Sequence, residues 1–137
     1  MKDIIIIFDS LAIKKEYVYD VKSMSFVGAV NFGNLNRNNN SELATEALFF
    51  MAVRLKGHWK QPFDYFLGKP NGANQAQLVK HAVSYLSEKG FIVHGVTCDG
   101  CFTNQSTAQM LGCSLDPDNI RPYFPHPEYE KEHIFSL

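Results

Sequence analysis

Residues 4–9 read Ile-Ile-Ile-Ile-Phe-Asp, and this stretch decides the predicted fold. Four β-branched side chains followed by an aromatic one favour a β-strand. A run without a polar residue is typical of a central strand that is covered on both faces of its sheet. A signal peptide needs a longer apolar region than this one, which Asp9 ends. The stretch therefore predicts a central strand with a carboxylate at its C-terminal end.

The composition limits the kind of protein this is. The chain has 137 residues, of which 45% are hydrophobic and 20% charged, and its formal net charge is −1. This length corresponds to one domain, and the apolar content excludes a wholly disordered chain. A charge near zero argues against a free-standing basic nucleic-acid binder. No apolar run is long enough to span a membrane, so no membrane partner is expected. Three cysteines without a framework spacing indicate a reducing compartment.

Two hairpins are predicted after the first strand, because their segments are rich in β-branched and aromatic residues. Their strands are residues 16–22 with 26–31, and residues 48–55 with 61–67. Helical propensity makes the segment leading into the second hairpin ambiguous, and the hairpin interpretation is preferred. Residues 34–41 are polar and rich in asparagine, which predicts a loop.

Residues 73–89 form the clearest predicted helix, because apolar side chains recur there at helical spacing. Asn74 is the expected N-cap, and Gly90 is the expected residue after the helix. The elements expected to follow are a strand over residues 91–97 and a short helix that Thr103 caps and Gly112 stops. The pattern predicts an α/β fold in which helices pack on a mixed sheet of five or six strands.

Two aspartates each follow a predicted strand. Asp9 ends the first strand, and Asp99 follows the strand over residues 91–97. In open α/β sheets, ligands bind outside the carboxyl ends of the strands, so the two carboxylates would face each other if these strands are neighbours. A hard divalent cation such as Mg²⁺ relieves their repulsion, and two ions about 4 Å apart can stabilise phosphodiester cleavage. The alternative is that each aspartate is a turn or cap residue.

Two groups of basic residues are candidates for DNA contact: Lys14 and Lys15, and Lys56, His58, Trp59 and Lys60. The basic side chains would contact phosphates, and the indole of Trp59 would stack on a base. The alternative for the second group is a solvated turn in which Trp59 covers an edge of the core.

Several blocks of the sequence resemble, in order and at similar spacing, the RNase H-like domain of P-element-type transposases, which include the THAP-domain transposases. The blocks are residues 8–15, 17–20, 26–28, 43–53, 55–62, 65–67, 96–100 and 104. The Trp-Lys-Gln-Pro block at 59–62 and the Thr-Cys-Asp-Gly block at 97–100 are together the most specific. The resemblance runs over residues 4–115.

The resemblance implies a DDE-type acidic site that uses Mg²⁺ or Mn²⁺, with the first acid at Asp9 and the second at Asp99. Ser10 departs from the family pattern, which usually has Glu at that position. The family's third acid lies downstream of an insertion domain that binds GTP, and both are expected to be missing here, as is the N-terminal zinc-binding THAP module. Five glutamates could in principle take the place of the third acid, but no motif places any of them there: Glu42, Glu46, Glu128, Glu130 and Glu132.

The resemblance further implies an RNase H-like mixed sheet with flanking helices, incomplete at the C-terminus. Residues 1–115 would form the first part of this domain, and the proline-rich residues 116–137 a linker towards a missing strand. The expected function is part of a DNA transposase catalytic domain, inactive alone, that acts in the nucleus on transposon ends, with a homo-oligomer as a further expected partner.

Two other functions stay open. One is a domesticated, non-catalytic transposase remnant that binds DNA or protein. The other is a metal-dependent phosphotransfer or nucleotide-binding α/β domain, which no glycine-rich phosphate loop supports. The distance between the Asp9 and Asp99 carboxylates discriminates among them, because a transposase enzyme needs the two carboxylates close together on adjacent strands, whereas a remnant tolerates their separation.

Overall fold

The structure is a computed structural model that describes residues 2–33 and 42–136, apart from the side chain of Phe102. The loop predicted over residues 34–41 lies outside the described residues. In chain order the elements are β1 (Asp3–Ala12), β2 (Val18–Asp20), β3 (Ser25–Val27), β4 (Glu46–Arg54), β5 (Lys60–Leu67), α1 (Gly72–Glu88), β6 (Ile92–Thr97), α2 (Phe102–Leu111), β7 (Tyr123–Pro125) and β8 (His133–Ser136).

Six strands form one mixed sheet in the order β5-β4-β1-β6-β8-β7. Strand β1 pairs antiparallel with β4 and parallel with β6, and β6 pairs parallel with β8. The two edge strands, β5 and β7, are antiparallel to their neighbours. The predictions of an α/β fold, of a mixed sheet and of a central first strand are confirmed.

Within the described residues, the helices pack on one face of this sheet. On β1, Ile4, Ile6 and Phe8 are at most 2% exposed and join the core with the apolar side chains of α1. The alternate residues Ile5 and Ile7 point to the opposite face and are partly exposed. The prediction that this strand is covered on both faces is therefore wrong for the described part of the chain. A run of isoleucines fits a half-buried strand as well as a buried one, because alternate side chains point to opposite faces.

The first predicted hairpin is confirmed with shorter strands, since β2 and β3 pair around a turn at residues 21–24 and form a separate two-stranded sheet. At its base, Gly28 has a φ of +123°, and a Cβ there would lie 1.9 Å from the carbonyl oxygen of Glu16. The chain needs glycine at this position, because a side chain would collide with the backbone.

Helix α1 confirms the clearest helix prediction, but its N-cap is Asn71, not the predicted Asn74. The side-chain oxygen of Asn71 accepts a hydrogen bond from the backbone N–H of Asn74 at 2.8 Å, so Asn74 is already inside the first turn. The prediction of Gly90 after the helix is confirmed by its φ of +86°. No helix in residues 2–33 or 42–136 is long and apolar enough to cross a membrane.

Helix α2 also begins earlier than predicted. Its N-cap is Cys101 and Thr103 lies inside the first turn, so the prediction of Thr103 as the cap is wrong. Gly112 follows the helix with a φ of +120°, which confirms it as the stop. Both N-cap predictions are misplaced because residue type alone does not locate an N-cap. Asn and Thr are favoured caps, but the cap is the residue at which the backbone changes from extended to helical, and the sequence does not show that point.

Residues 116–137, for which the sequence predicts a linker, contribute β7 and β8 to the main sheet. Strand β8 runs beside β6, and the side chain of Ile134 is buried. Pro125 ends β7, where a proline is tolerated since this is an edge strand of the sheet. The segment is thus continuous with the core of the domain.

Candidate functional site

Asp9 and Asp99 lie at the same edge of the sheet because β1 and β6 are adjacent and parallel. The register pairs Ile7 of β1 with Thr97 of β6. Asp9 and Asp99 each lie two residues further along the sequence. Asp9 is still within β1, whereas β6 ends at Thr97 and Asp99 belongs to the turn that leads to α2. The condition on which the site hypothesis depends, that the two strands are neighbours, is confirmed.

Both aspartates line one pocket of about 330 Å³ between the edge of the sheet and the first turns of the two helices. Lys69, Gln75 and Asn104 line the side formed by the helices and their connections, and Glu46 lines the side formed by the sheet. The pocket thus joins carboxylates, one lysine and two amides. This composition suits a cation or a phosphate ester better than an apolar ligand.

Hydrogen bonds hold the Asp99 carboxylate in place. Its Oδ1 accepts from the side-chain amide of Asn104 at 2.8 Å and from the backbone N–H of Cys101 at 3.3 Å. The same Asn104 amide donates to the carbonyl oxygen of Asp99 at 3.0 Å. Hydrogen bonds from Cys101, the backbone N–H first and the thiol next, lower the pKa of the Asp99 carboxyl, burial opposes them, and the hydrogen bond from Asn104 adds a smaller lowering. Asp99 is therefore an ionised, oriented carboxylate at neutral pH.

Asp9 is held by a local contact. Its Oδ1 accepts a hydrogen bond at 2.8 Å from the backbone N–H of Ser10, and the residue is exposed. Ser10, where the resembling family usually has Glu, also lines the pocket. Asp9 can therefore change its rotamer to suit a ligand more readily than Asp99 can.

Glu46 is a pocket residue that no motif of the sequence places. It begins β4 opposite Ala12, and its Oε2 is buried without a hydrogen-bond partner in the part of the chain that the structure describes. A buried carboxylate oxygen of this kind calls for a cation or a water. The sequence carries no signal for it, because the register of β4 against β1, which brings Glu46 to the pocket, is a tertiary property.

The donor set suits a hard cation. Among the described residues, no three or more His, Cys, Asp or Glu side chains are grouped to hold a metal ion. Mg²⁺ nevertheless takes one or two carboxylates from a protein and fills its remaining positions with water and phosphate oxygens, which Asp9 and Asp99 allow. Burial chiefly, and Asp99 next, raise the pKa of the neighbouring Cys98 thiol to about 11, so the charged donors next to it at neutral pH are carboxylate oxygens.

The two basic groups are not brought together. Lys14 and Lys15 follow the end of β1 that carries Asp9. The group at residues 56–60 lies at the opposite end, where the N–H of Leu55 donates to the carbonyl oxygen of Asp3. Asp3 and Asp9 are six residues apart on one strand, which corresponds to about 20 Å. A DNA surface that uses both groups would therefore extend along the whole of β1.

Trp59 stacks on Phe91 with ring centroids 5.9 Å apart and an interplanar angle of 13°, and it is 41% exposed. Phe91 packs against the hydrophobic core, so Trp59 does cover an edge of the core. Its exposed part is still available to a base, and a role in DNA contact stays a prediction for this residue and for the lysines.

Known proteins share this fold and parts of this sequence. Residues 1–112 match the family model described as TNP-like, RNase H N-terminal domain. The Homo sapiens protein named DNA transposase THAP9 is 33% identical over 132 residues, which are 94% of this chain and 14% of that protein. The solved structure of the Drosophila P element transposase strand transfer complex matches with a TM-score of 0.72 at 20% identity, covering 98% of this chain and 26% of that one. The chain thus spans a small part of the length of either relative.

Proposed function

The chain belongs to the TNP-like, RNase H N-terminal domain family, with relatives among the P-element-type transposases, and from this premise we propose that Asp9 and Asp99 bind a divalent cation in a DDE-type site. The resemblance seen in the sequence and the RNase H-like α/β fold are confirmed. One observation carries the proposal: Asp9 on β1 and Asp99 just after the adjacent parallel strand β6 each lie two residues beyond the pair Ile7 and Thr97, and they line the same pocket.

The chain's own residues would prepare this pocket for a DNA phosphate. Asp99 offers an oriented carboxylate, Asp9 an adaptable one, and Lys69 a positive charge that attracts the phosphate. A bound Mg²⁺ or Mn²⁺ would stabilise the charge that develops on the attacking and leaving oxygens. Lys14 and Lys15 would contact the DNA backbone near the pocket, and the group at residues 56–60 would contact it further away.

For the whole protein we propose cleavage and strand transfer at transposon ends, in the nucleus, by a DDE-type enzyme that acts as an oligomer. The resemblance also implies that the whole protein has an insertion domain that binds GTP and a THAP module that binds zinc. Both belong to this proposal. The human relative is named a DNA transposase, and the fly structure is a strand transfer complex of a transposase. Both relatives support this assignment.

Asparagine in place of either aspartate is expected to weaken Mn²⁺ binding by about tenfold or more, because each change removes a charged oxygen ligand. The measurement is an electron paramagnetic resonance titration of residues 1–137 with Mn²⁺, using Asp9→Asn and Asp99→Asn. Asp64→Asn is the matched control, since the Oδ1 of Asp64 accepts from the next backbone N–H at 2.8 Å as that of Asp9 does, but on β5. Equal affinities in all four proteins would contradict the proposal.

Residues 1–137 alone are expected to leave DNA uncut in the presence of Mg²⁺ or Mn²⁺, because the resemblance supplies two of the three DDE acids. The measurement is the conversion of a supercoiled plasmid to its nicked form. Nicking by the purified chain that disappears in both Asp9→Asn and Asp99→Asn would show this expectation to be wrong. An absence of both nicking and Mn²⁺ binding would favour the non-catalytic remnant.

A further inference from the structure

A line of buried polar side chains runs from the core to the Asp99 carboxylate. Gln75 on α1 is 3% exposed, and Thr107 on α2 is 1% exposed. The Nε2 of Gln75 donates to the Oδ1 of Asn104 at 2.6 Å and to the Oγ1 of Thr107 at 3.0 Å. Asn104 in turn donates to Asp99. We call Thr107, Gln75 and Asn104 the polar relay.

The polar relay can be oriented in one way. Asp99 presents a carboxylate and a carbonyl oxygen, which only accept, so Asn104 must turn its NH₂ towards Asp99 and its Oδ1 towards Gln75. At the other end, the hydroxyl of Thr107 donates to the carbonyl oxygen of Thr103 at 2.9 Å and therefore accepts from Gln75. Both amides are thus fixed in orientation, and hydrogen bonds connect Gln75 to Asp99 through Asn104.

Packing alone does not explain a glutamine at this position. Gln75 lies on the buried side of α1 with Ala76, Val79 and Ala82, where an aliphatic side chain would fill the space without an amide to satisfy. The two helices approach closely here: a Cβ on Gly72 of α1 would lie only 2.5 Å from the Oγ of Ser106 on α2. A buried amide that joins two helices and ends on a site carboxylate has a positional role that an apolar residue could not supply.

We propose that Gln75 is a positioning residue that acts through Asn104 to hold the Asp99 carboxylate in a fixed orientation in the pocket. The inference deepens the proposed function, because it rests on Asp99 as a cation ligand. The proposed cation ligands, Asp9 and Asp99, are not on α1. The inference therefore gives the buried side of this helix an indirect part in forming the site.

Gln75→Met tests this inference, because methionine keeps the length and unbranched shape of the side chain but donates no hydrogen bond. Without a donor, the Oδ1 of Asn104 loses its partner on α1, its amide is no longer fixed, and its bond to Asp99 weakens. We expect the Asp99 side chain to change from one χ1 rotamer to an average of several, followed by the ³J couplings that report this angle. We also expect Mn²⁺ affinity to fall about tenfold, as for the loss of a group that supports a metal ligand.

The matched control is Gln77→Met, which makes the same change two residues away on the exposed side of α1 and is expected to alter neither quantity. A merely structural role predicts an unchanged Asp99 rotamer in Gln75→Met, whatever happens to stability, and that result would overturn the inference. If Gln75→Met does not fold, Thr107→Val removes the far partner of the same amide and is expected to average the Asp99 rotamer in the same way.

The two proposals fail in distinguishable ways. An averaged Asp99 rotamer in Gln75→Met, in a protein whose parent does not bind Mn²⁺, would support the polar relay and contradict the cation site. A parent that binds Mn²⁺, with the Asp99 rotamer and the Mn²⁺ affinity both unchanged in Gln75→Met, would support the cation site and overturn the polar relay.

Discussion

Phe50→Ala is expected to lower the free energy of unfolding by about 3–5 kcal/mol, the usual loss for a buried phenylalanine. Phe50 is fully buried at the middle of β4. Its ring contacts that of Phe8 at 5.6 Å between centroids, that of Phe66 at 5.9 Å and that of Phe63 at 6.1 Å. Alanine would leave a cavity among three aromatic rings from the two flanking strands, which the rigid sheet cannot close.

Phe49→Ala is the matched control for this prediction. Phe49 is the adjacent residue of the same strand, but it points to the opposite face of the sheet and is 38% exposed. Its loss is expected to cost about 1 kcal/mol. The measurement is the urea midpoint of unfolding, followed by circular dichroism. Equal losses in the two variants would mean that both faces of β4 are packed, contrary to the face assignment.

His126→Ala is expected to lower the free energy of unfolding by about 2–4 kcal/mol, through several lost hydrogen bonds and a buried void. His126 is 3% exposed. Its Nδ1 accepts from the backbone N–H groups of Glu128 and Tyr129 at 3.1 and 3.2 Å, so in the neutral ring the proton is on Nε2. That Nε2–H donates to the Oγ of Ser87 at 2.9 Å. The imidazole thereby joins the connection between β7 and β8 to α1.

His81→Ala is the control for His126→Ala, because His81 is exposed on α1. Its change is expected to stay within about 0.5 kcal/mol. Thermal unfolding of the two variants, with hydrogen exchange of the Glu128 and Tyr129 amides, checks the prediction. Fast exchange of these amides in His126→Ala is expected even below the unfolding transition. Exchange as slow as in the parent would contradict the assigned bonds.

The elements that can be predicted from the sequence are those whose pattern is local. Strand β1, the hairpin of β4 and β5, and helix α1 each carry their own periodicity or apolar run, and all three predictions are confirmed. Whether the second face of β1 is covered depends on segments distant along the chain, which the run of isoleucines does not report. The short strand β7 escapes prediction because a proline-rich segment gives little strand signal.

The candidate site is predictable in part. Asp9 and Asp99 can be found because each follows an apolar run with a strong strand pattern, but their adjacency depends on the strand order, which no local pattern shows. Gln75 does carry a signal, since it is a polar residue four positions before Val79, on the apolar side of a helix. Glu46 carries none, because its place in the pocket follows from the register between two strands.

The alternation along β1 has a consequence for how this sequence can change length. Ile4, Ile6 and Phe8 enter the core in steps of two residues, and Asp9 is reached one residue after the last of them. An insertion or deletion of a single residue within residues 4–8 would turn either the core side chains or Asp9 to the wrong face. Relatives that keep the carboxylate should therefore differ in this strand by substitution, or by an even number of residues, and never by one.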